Sequence, residues 1–251
     1  HRPFAFACCF SLGMLAVAAG GEPPPSAADR GQQGDHWAFQ SIQKPTVPVT
    51  RRNNRVRNPI DAFVFARLEV EGLAPRPAAD RLTLHRRVSL DLIGLPPTPA
   101  EQRLFAADTQ PGAWERLVGR LLSRPEFGER WARHWLDVAR YGESNGYERD
   151  GSKPNAWRFR DYVISAFNDD LPFDRFVSEQ LAGDEVEGSD ARSQIATTFL
   201  RLGTWDDEPA DPFADRFDQL DDVLGTTASA FLGLTLRCAR CHDHKFEPLS
   251  K

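Results

Sequence analysis

The sequence predicts a mainly α-helical protein: an irregular multi-helix domain with long loops, ending in a Cys-x-x-Cys-His loop after the last helix. Apolar residues recur at three- and four-residue spacing in one segment after another, as a buried helix face requires. Capping residues, prolines and glycines bound these segments. No alternation of apolar and polar residues is long enough to require a sheet.

The first two helices are marked mainly by their ends. Asn58 is placed to cap the first helix, Pro59 occupies its first position, and Gly72 ends it. Its apolar face is expected at Phe63, Ala66 and Val70. The second helix is predicted from about Leu82 to Ile93, ending at Gly94 before two prolines that prevent continuation.

The next three helices follow at short intervals. Thr98, Pro99 and Glu101 have the spacing of a capping box, in which hydroxyl and carboxylate satisfy otherwise unpaired amides. A buried stripe follows at Trp114, Leu117, Val118, Leu121 and Leu122. Pro125 precedes a helix whose aromatic face is expected to share Trp131, His134, Trp135 and Val138.

Three further stripes complete the helical pattern. The first two are predicted at Phe159, Val163, Ala166 and Phe167, and at Phe173, Phe176, Val177 and Leu181. Gly183 ends the second of these. The last long helix is expected from about Phe217 to Phe231, and it leads the chain directly to Cys238.

Composition places the chain among soluble globular proteins. It has 251 residues, 41% of them hydrophobic and 27% charged, with a formal net charge of −5. Acidic and basic residues are interspersed, and no basic stripe is present that would neutralise a phosphate backbone. Nucleic acid is therefore not expected as a partner.

Residues 1–19 have the features of a secretory signal: a basic Arg2, an apolar run and a small-residue end at Ala16-Val17-Ala18-Ala19-Gly20. A buried or membrane-spanning helix is the alternative, but the run is short for a span. We expect export to the periplasm or the extracellular space, with no stable membrane span after signal removal. Residues 20–57 are expected to form a linker and an extended docking segment, and residues 58–251 the helical domain.

The four cysteines form two close pairs, Cys8/Cys9 inside the signal and Cys238/Cys241 near the end. Residues 238–242 read Cys-Ala-Arg-Cys-His, the spacing at which two thiols attach haem c covalently and the next histidine, His242, ligates the iron. Two alternatives remain open. The cysteines could form a disulfide, or they could bind zinc together with His242 and His244.

A sixth iron ligand is less clearly marked. Met14, the only methionine, would leave with the signal, so a histidine is the expected type. His134 is the leading candidate because two tryptophans neighbour it, although a core histidine is the alternative. His36 and His85 are weaker candidates, and the iron could equally be five-coordinate.

Two polar groupings invite other functions. Carboxylates that could hold a cation such as calcium, or form a solvated loop, are Asp206, Asp207, Glu208, Asp211 and Asp215. A second set of polar residues could form an ion-pair network or a polar active site: Asp137, Arg140, Tyr141, Asp150, Arg158 and Asp161.

The chain resembles the cytochrome c-like domain of unknown function found in large secreted planctomycete proteins, the PSCyt type. The segments that carry the resemblance are His36-Trp37-Ala38-Phe39, Asn58-Pro59-Ile60-Asp61-Ala62-Phe63, Asp91-Leu92-Ile93-Gly94-Leu95-Pro96-Pro97-Thr98, Gly128-Glu129-Arg130-Trp131-Ala132-Arg133-His134-Trp135-Leu136-Asp137, Glu179-Gln180-Leu181-Ala182-Gly183-Asp184 and Cys238-Ala239-Arg240-Cys241-His242-Asp243-His244-Lys245-Phe246. The resemblance implies haem binding and electron transfer. Members usually continue beyond the cysteine motif, so we expect this sequence to be a fragment truncated at its C-terminus.

The sequence therefore predicts an exported haem c-binding protein that transfers electrons within a larger multidomain secreted protein. Its expected partners are a redox protein or further domains of the same polypeptide. The alternative is a secreted hydrolase or carbohydrate-binding module whose cysteines and histidines hold zinc or whose cysteines form a structural disulfide. A docking module with a vestigial motif is a third hypothesis.

Overall fold

The computed structural model describes residues 39–51 and 55–251 of the chain. Residues 42–251 form one compact unit. The predicted signal, with Cys8, Cys9 and Met14, lies outside the described residues, and so does His36.

The described residues contain nine α-helices, which confirms the prediction of a mainly helical protein. Their only strand-type pairing is an isolated antiparallel bridge between Ser144 and Ser152. The helices are α1 (Pro59–Val70), α2 (Arg81–Ile93), α3 (Pro99–Ala107), α4 (Ala113–Leu122), α5 (Pro125–Val138), α6 (Trp157–Asn168), α7 (Phe173–Ala182), α8 (Ala191–Ala196) and α9 (Pro212–Thr227).

Helix ends agree closely with the sequence signals because the bonds that make them are local. Asn58 accepts a hydrogen bond from the Asp61 amide at 3.0 Å, and the Asp61 side chain accepts one from the Asn58 amide. Thr98 and Glu101 form the same reciprocal box at α3. Gly94 ends α2 with a φ of 71°, a left-handed conformation that favours glycine.

The predicted apolar face of α1 is wrong. Phe63 and Val70 are exposed, whereas Ala62 is buried. Spacing along a helix defines an arc of apolar residues, but the elements that pack on the helix decide which part of that arc is covered. Periodicity within α1 contains no information about those neighbours.

Two apolar clusters form the core. The smaller lies among α2, α3 and α4 and is built from Ile93, Phe105, Ala113, Leu117 and Leu121. The larger lies among α5 to α8 and the turn that follows, and its buried members are Ala132, Ala139, Phe159, Tyr162, Val163, Ala166, Phe176, Ala196, Phe199 and Leu202. Gly128 lets α5 and α6 approach closely, since an added Cβ would lie 2.5 Å from the Ile164 carbonyl oxygen.

Two elements were not predicted correctly. Helix α9 begins at Pro212 instead of Phe217, because Asp211 accepts hydrogen bonds from the Phe213 and Ala214 amides and so caps it. Helix α8 and the 3-10 turn after it, Thr197–Arg201, had no recognised signal.

The chain leaves α9 through a π-helical turn, Ala228–Leu232, and reverses at Gly233 in the left-handed conformation. A 3-10 turn, Leu236–Arg240, then carries the first cysteine of the motif. The motif therefore follows the last α-helix, as expected from the sequence. Among the described residues, no helix is long and apolar enough to cross a membrane.

Candidate functional site

The cysteine motif lies on one turn at the surface. Cys238 is inside the 3-10 turn Leu236–Arg240, and Cys241 follows it directly. The amides of Cys241 and His242 both donate to the Cys238 carbonyl oxygen at 3.4 Å. Both cysteines are exposed free thiols, and His242 is exposed as well. Two thiols and an imidazole are thus held within one short backbone turn and remain accessible.

His242 has a ring orientation suited to binding a metal. Its Nδ1 lies 2.9 Å from the carbonyl oxygen of Asp243. A carbonyl oxygen only accepts hydrogen bonds, so Nδ1 carries the proton in this arrangement. In the neutral ring the lone pair is then on Nε2, and such a bond orients the ring of a metal-ligating histidine.

His244 has the opposite arrangement. It is buried, and its Nδ1 accepts hydrogen bonds from the amides of Glu247 at 2.7 Å and Phe246 at 3.2 Å. The neutral ring therefore carries its proton on Nε2, which donates to Thr235 Oγ1 at 2.8 Å. Both nitrogens are occupied, so His244 stabilises the backbone of this segment and has no free lone pair for a metal.

Arginines on either side of Cys238 anchor the motif to α9. We call this set, consisting of Arg237, Arg240, Asp218, Asp221 and Asp222, the arginine clamp. Arg237 Nη2 lies 2.6 Å from Asp222 Oδ1. Arg240 pairs with Asp218 through Nη2 and with Asp221 through Nη1. The two guanidinium groups thus connect the cysteine turn to three carboxylates of one helix.

Asp222 also connects the clamp to the core. Its Oδ2 lies 2.6 Å from Nε of Arg140, which follows α5 in a left-handed conformation with a φ of 53°. The Arg237 side chain passes close to Gly225, where an added Cβ would lie 2.5 Å from Arg237 Cγ. A side chain at that position would displace Arg237, so the clamp depends on this glycine.

Sequence reasoning missed the clamp, although its signal was present. Carboxylates at positions 218, 221 and 222 have the three- and four-residue spacing of one helix face, and the arginines at 237 and 240 are three residues apart. Matching charge spacing on two consecutive elements would have suggested the pairing.

The structure places His134 on the exposed side of α5. Its ring packs edge-on against Trp131 at a centroid distance of 5.5 Å. No hydrogen bond or ring contact among the described residues joins it to the cysteine turn. Its role as a sixth ligand stays a prediction.

The predicted common face of α5 is wrong for Trp135. This tryptophan turns inward, donates from Nε1 to Gln180 Oε1 at 2.8 Å, and packs on Phe176. Trp131, His134 and Val138 are exposed. Consecutive residues on an α-helix point about 100° apart, so His134 and Trp135 cannot share a direction.

His85 lies inside the smaller core cluster. It is 1% exposed, its ring packs edge-on against Phe105, and burial lowers its pKa. A ring in that position is not available at the protein surface.

The two polar groupings have separate structural roles. In the acidic grouping, Glu208 and Asp207 pair with Arg149, and Asp211 caps α9. The second grouping is divided between two sets of contacts. Arg140 binds Asp222. Asp161 pairs with Arg160, which also pairs with Glu143, and Glu143 accepts a hydrogen bond from Tyr141. Burial, followed by that hydrogen bond, raises the pKa of Tyr141 to about 12. In the part of the chain that the structure describes, no three His, Cys, Asp or Glu residues are arranged to hold a metal ion.

These features define a helical protein that presents an accessible Cys-x-x-Cys-His turn, anchored by ion pairs, beside its last helix. Residues 59–251 match the model of the PSCyt2 family, described as a protein of unknown function (DUF1549). The chain belongs to this family, a planctomycete secreted cytochrome-like domain. The family name thus indicates a secreted domain. No curated protein and no solved structure matches the chain.

Proposed function

We propose that this protein is an exported haem c-binding protein that transfers electrons. Cys238 and Cys241 would form the covalent links, and His242 would be the axial iron ligand. One observation carries the proposal: two exposed free thiols lie in one turn beside a histidine whose Nε2 lone pair is free. Thiols at this spacing followed by histidine are the ligand set of c-type haem.

The chemistry of attachment suits these groups. Each thiol would add across a vinyl double bond, with sulfur bonding to one carbon and the proton going to the other, so the addition needs no net oxidant. Accessible thiols favour this reaction because both sulfurs must reach the ring edge. Bound haem would supply a one-electron iron couple, and its axial ligand would help to set the potential.

The arginine clamp would position the attachment site. It holds the turn against α9 through carboxylates that belong to a formed helix. The cysteines would therefore be close to their final geometry before attachment, which lowers the entropy lost when the ligands are ordered. Hydrogen bonds of His244 fix the backbone on the other side of His242.

A partner would cover the haem. Cys238, Cys241 and His242 are all exposed, and the apolar side chains Leu232 and Phe246 near them in sequence are exposed too. Haem has two large apolar faces, and such surface is stabilised by burial. We propose that a redox protein, or a further domain of the same polypeptide, packs against this face of the molecule. His134 would be one source of a sixth ligand, and a five-coordinate iron the other outcome.

The test is covalent haem on the full chain. The protein would be produced in a bacterium with a cytochrome c maturation system and purified. The visible spectrum of its reduced pyridine complex would then be recorded after denaturation. We expect a haem c spectrum that survives denaturation. The C238A/C241A double variant should lose covalent haem, whereas a colourless wild-type protein would contradict the proposal.

A matched pair of histidine variants tests the axial assignment. H242A should retain some covalent haem but change the visible spectrum of the folded protein, since it removes the ligand. H244A should keep the wild-type axial spectrum, because both nitrogens of His244 are engaged in hydrogen bonds. A changed axial spectrum in H244A together with a wild-type spectrum in H242A would identify His244 as the ligand. One zinc and no iron per chain in metal analysis would favour the zinc alternative.

A further inference from the structure

A second groove lies away from the cysteine turn, between the segment that precedes α6 and the turn that follows α8. Its volume is about 610 Å³. Residues that line it include Asn145, Lys153, Asn155, Arg158, Arg201 and Trp205. None of the residues 234–247 lines it, so it is distinct from the proposed haem site.

The groove has an unbalanced positive charge. Its lining contains three cationic side chains, Lys153, Arg158 and Arg201, and no aspartate or glutamate. Within the described residues, none of the three has a carboxylate within 4.0 Å. The arginines of the clamp differ, since each pairs with a carboxylate of α9.

Nearby groups do not neutralise this charge. Lys153 Nζ donates to the carbonyl oxygens of Leu202 at 3.2 Å and Gly203 at 2.8 Å, which leaves one N–H free. Burial lowers the pKa of Lys153, and the charges of Arg140 and Arg201 lower it further. The opposing carboxylate is Asp222, which is already paired with Arg140 and Arg237.

The start of α6 adds to the positive potential. Asn155 and Ala156 line the groove immediately before this helix of 12 residues, and its first turn contains no acidic residue. A helix N-terminus carries a partial positive charge that favours anions. The cationic side chains and the helix end therefore act in the same direction.

We infer that this groove binds a small organic oxyanion, a molecule that carries a carboxylate, sulfate or phosphate group. Guanidinium groups bind planar and tetrahedral oxyanions through paired hydrogen bonds. The amide of Asn145 can donate to or accept from a polar ring, and the amide nitrogen of Asn155 can donate while its Oδ1 accepts from Arg158 Nε at 3.5 Å. Arg201 lies over the half-buried Trp205 ring, 4.6 Å from its centroid, so that this ring holds one of the cationic groups in the groove. An acidic sugar has this combination of groups.

Calorimetry on the full chain at low salt tests the inference, with glucuronate, inorganic sulfate and phosphate, and neutral glucose as probes. We expect saturable one-to-one binding of an anionic probe and none of glucose. Tighter binding of glucuronate than of the inorganic ions would mean that the groove recognises the sugar ring. Equal binding of glucuronate and the inorganic ions would mean that it recognises the oxyanion alone. Absence of saturable binding by all three anions would overturn the inference.

Charge-removing variants locate the site. R158Q and R201Q should each weaken binding about tenfold, the loss expected for one charged hydrogen bond. The control is R103Q, which removes an exposed arginine of α3 outside the groove and should bind like the wild type. Equal weakening by R103Q would show a general effect of net charge and overturn the assignment. These variants leave the cysteine turn intact, so covalent haem reports separately on the proposed function.

Discussion

Helices α5 to α8 and residues 234–247 are stabilised in different ways. Phe159 and Val163 of α6, together with Phe199 of the turn after α8, have no exposed surface and belong to one apolar cluster. Residues 234–247 bury one side chain, that of His244, and are attached to the rest of the protein mainly by ion pairs and hydrogen bonds.

These two kinds of stabilisation have different effects on exposure. Apolar burial stabilises a structure in proportion to the area removed from water, but it hides the groups involved. Exposed ion pairs contribute little free energy, and their geometry is directional. The clamp therefore orients the cysteine turn while its thiols remain accessible, and the apolar clusters supply most of the stability.

The largest effect is expected in the core. Phe159→Ala removes a ring with no exposed surface and should lower the free energy of unfolding by about 3–5 kcal/mol. Urea unfolding followed by circular dichroism measures this loss. Leu232→Ala is the control, since this side chain is exposed and its loss should cost much less. Equal losses in the two variants would show that the apolar cluster is not the main source of stability.

A smaller and local effect is expected in the clamp. Asp222→Asn weakens two ion pairs, with Arg140 and Arg237, and should destabilise the cysteine turn by about 1 kcal/mol, because the pair that reaches the turn is partly exposed. Amide hydrogen exchange should accelerate at Cys241, His242 and His244, while α6 retains its protection.

Asp211→Asn is the matched control for that experiment. It keeps a good capping residue on the same helix, outside the clamp, and should leave the exchange of the turn unchanged. Loss of protection throughout α6 in the Asp222 variant would instead mean that the clamp stabilises the whole fold.

The smallest effect is expected from the protonation of His85 in the core. His85 is buried and its folded pKa is lowered, so the unfolded state binds a proton more readily. The contribution of His85 to the free energy of unfolding is fully present above the pKa that this histidine has in the unfolded state, about 6.5. The contribution is lost as the pH falls towards its lower pKa in the folded state. The slope should not exceed about 1.4 kcal/mol per pH unit.

His85→Leu should remove this component of the acid limb in urea unfolding at several pH values. His134→Leu is the matched control, since it removes an exposed histidine and leaves His85 in place. Parallel curves for the wild type and the His85 variant would show that acid sensitivity arises elsewhere in the protein.

Much of the secondary structure could be predicted because its causes are local. Asn58, Gly94 and the Thr98–Glu101 box act within three or four residues of themselves, so their effects can be read along the chain. The early start of α9 was also encoded locally, by Asp211 and Pro212. It was not predicted because the surrounding acidic residues and prolines are also typical of a loop. The cysteine motif is contiguous and was recognised for that reason.

Local signals in the sequence were sufficient to predict the helical class, most helix ends and the three residues proposed to bind haem. Packing between distant segments was needed to establish that Trp135 turns inward while His134 stays exposed, and that His244 is engaged at both nitrogens. It also brought together the arginine clamp and the cationic groove from segments far apart in the chain. Capping and motif spacing depend on neighbouring residues, whereas burial and charge pairing depend on what the folded chain places nearby.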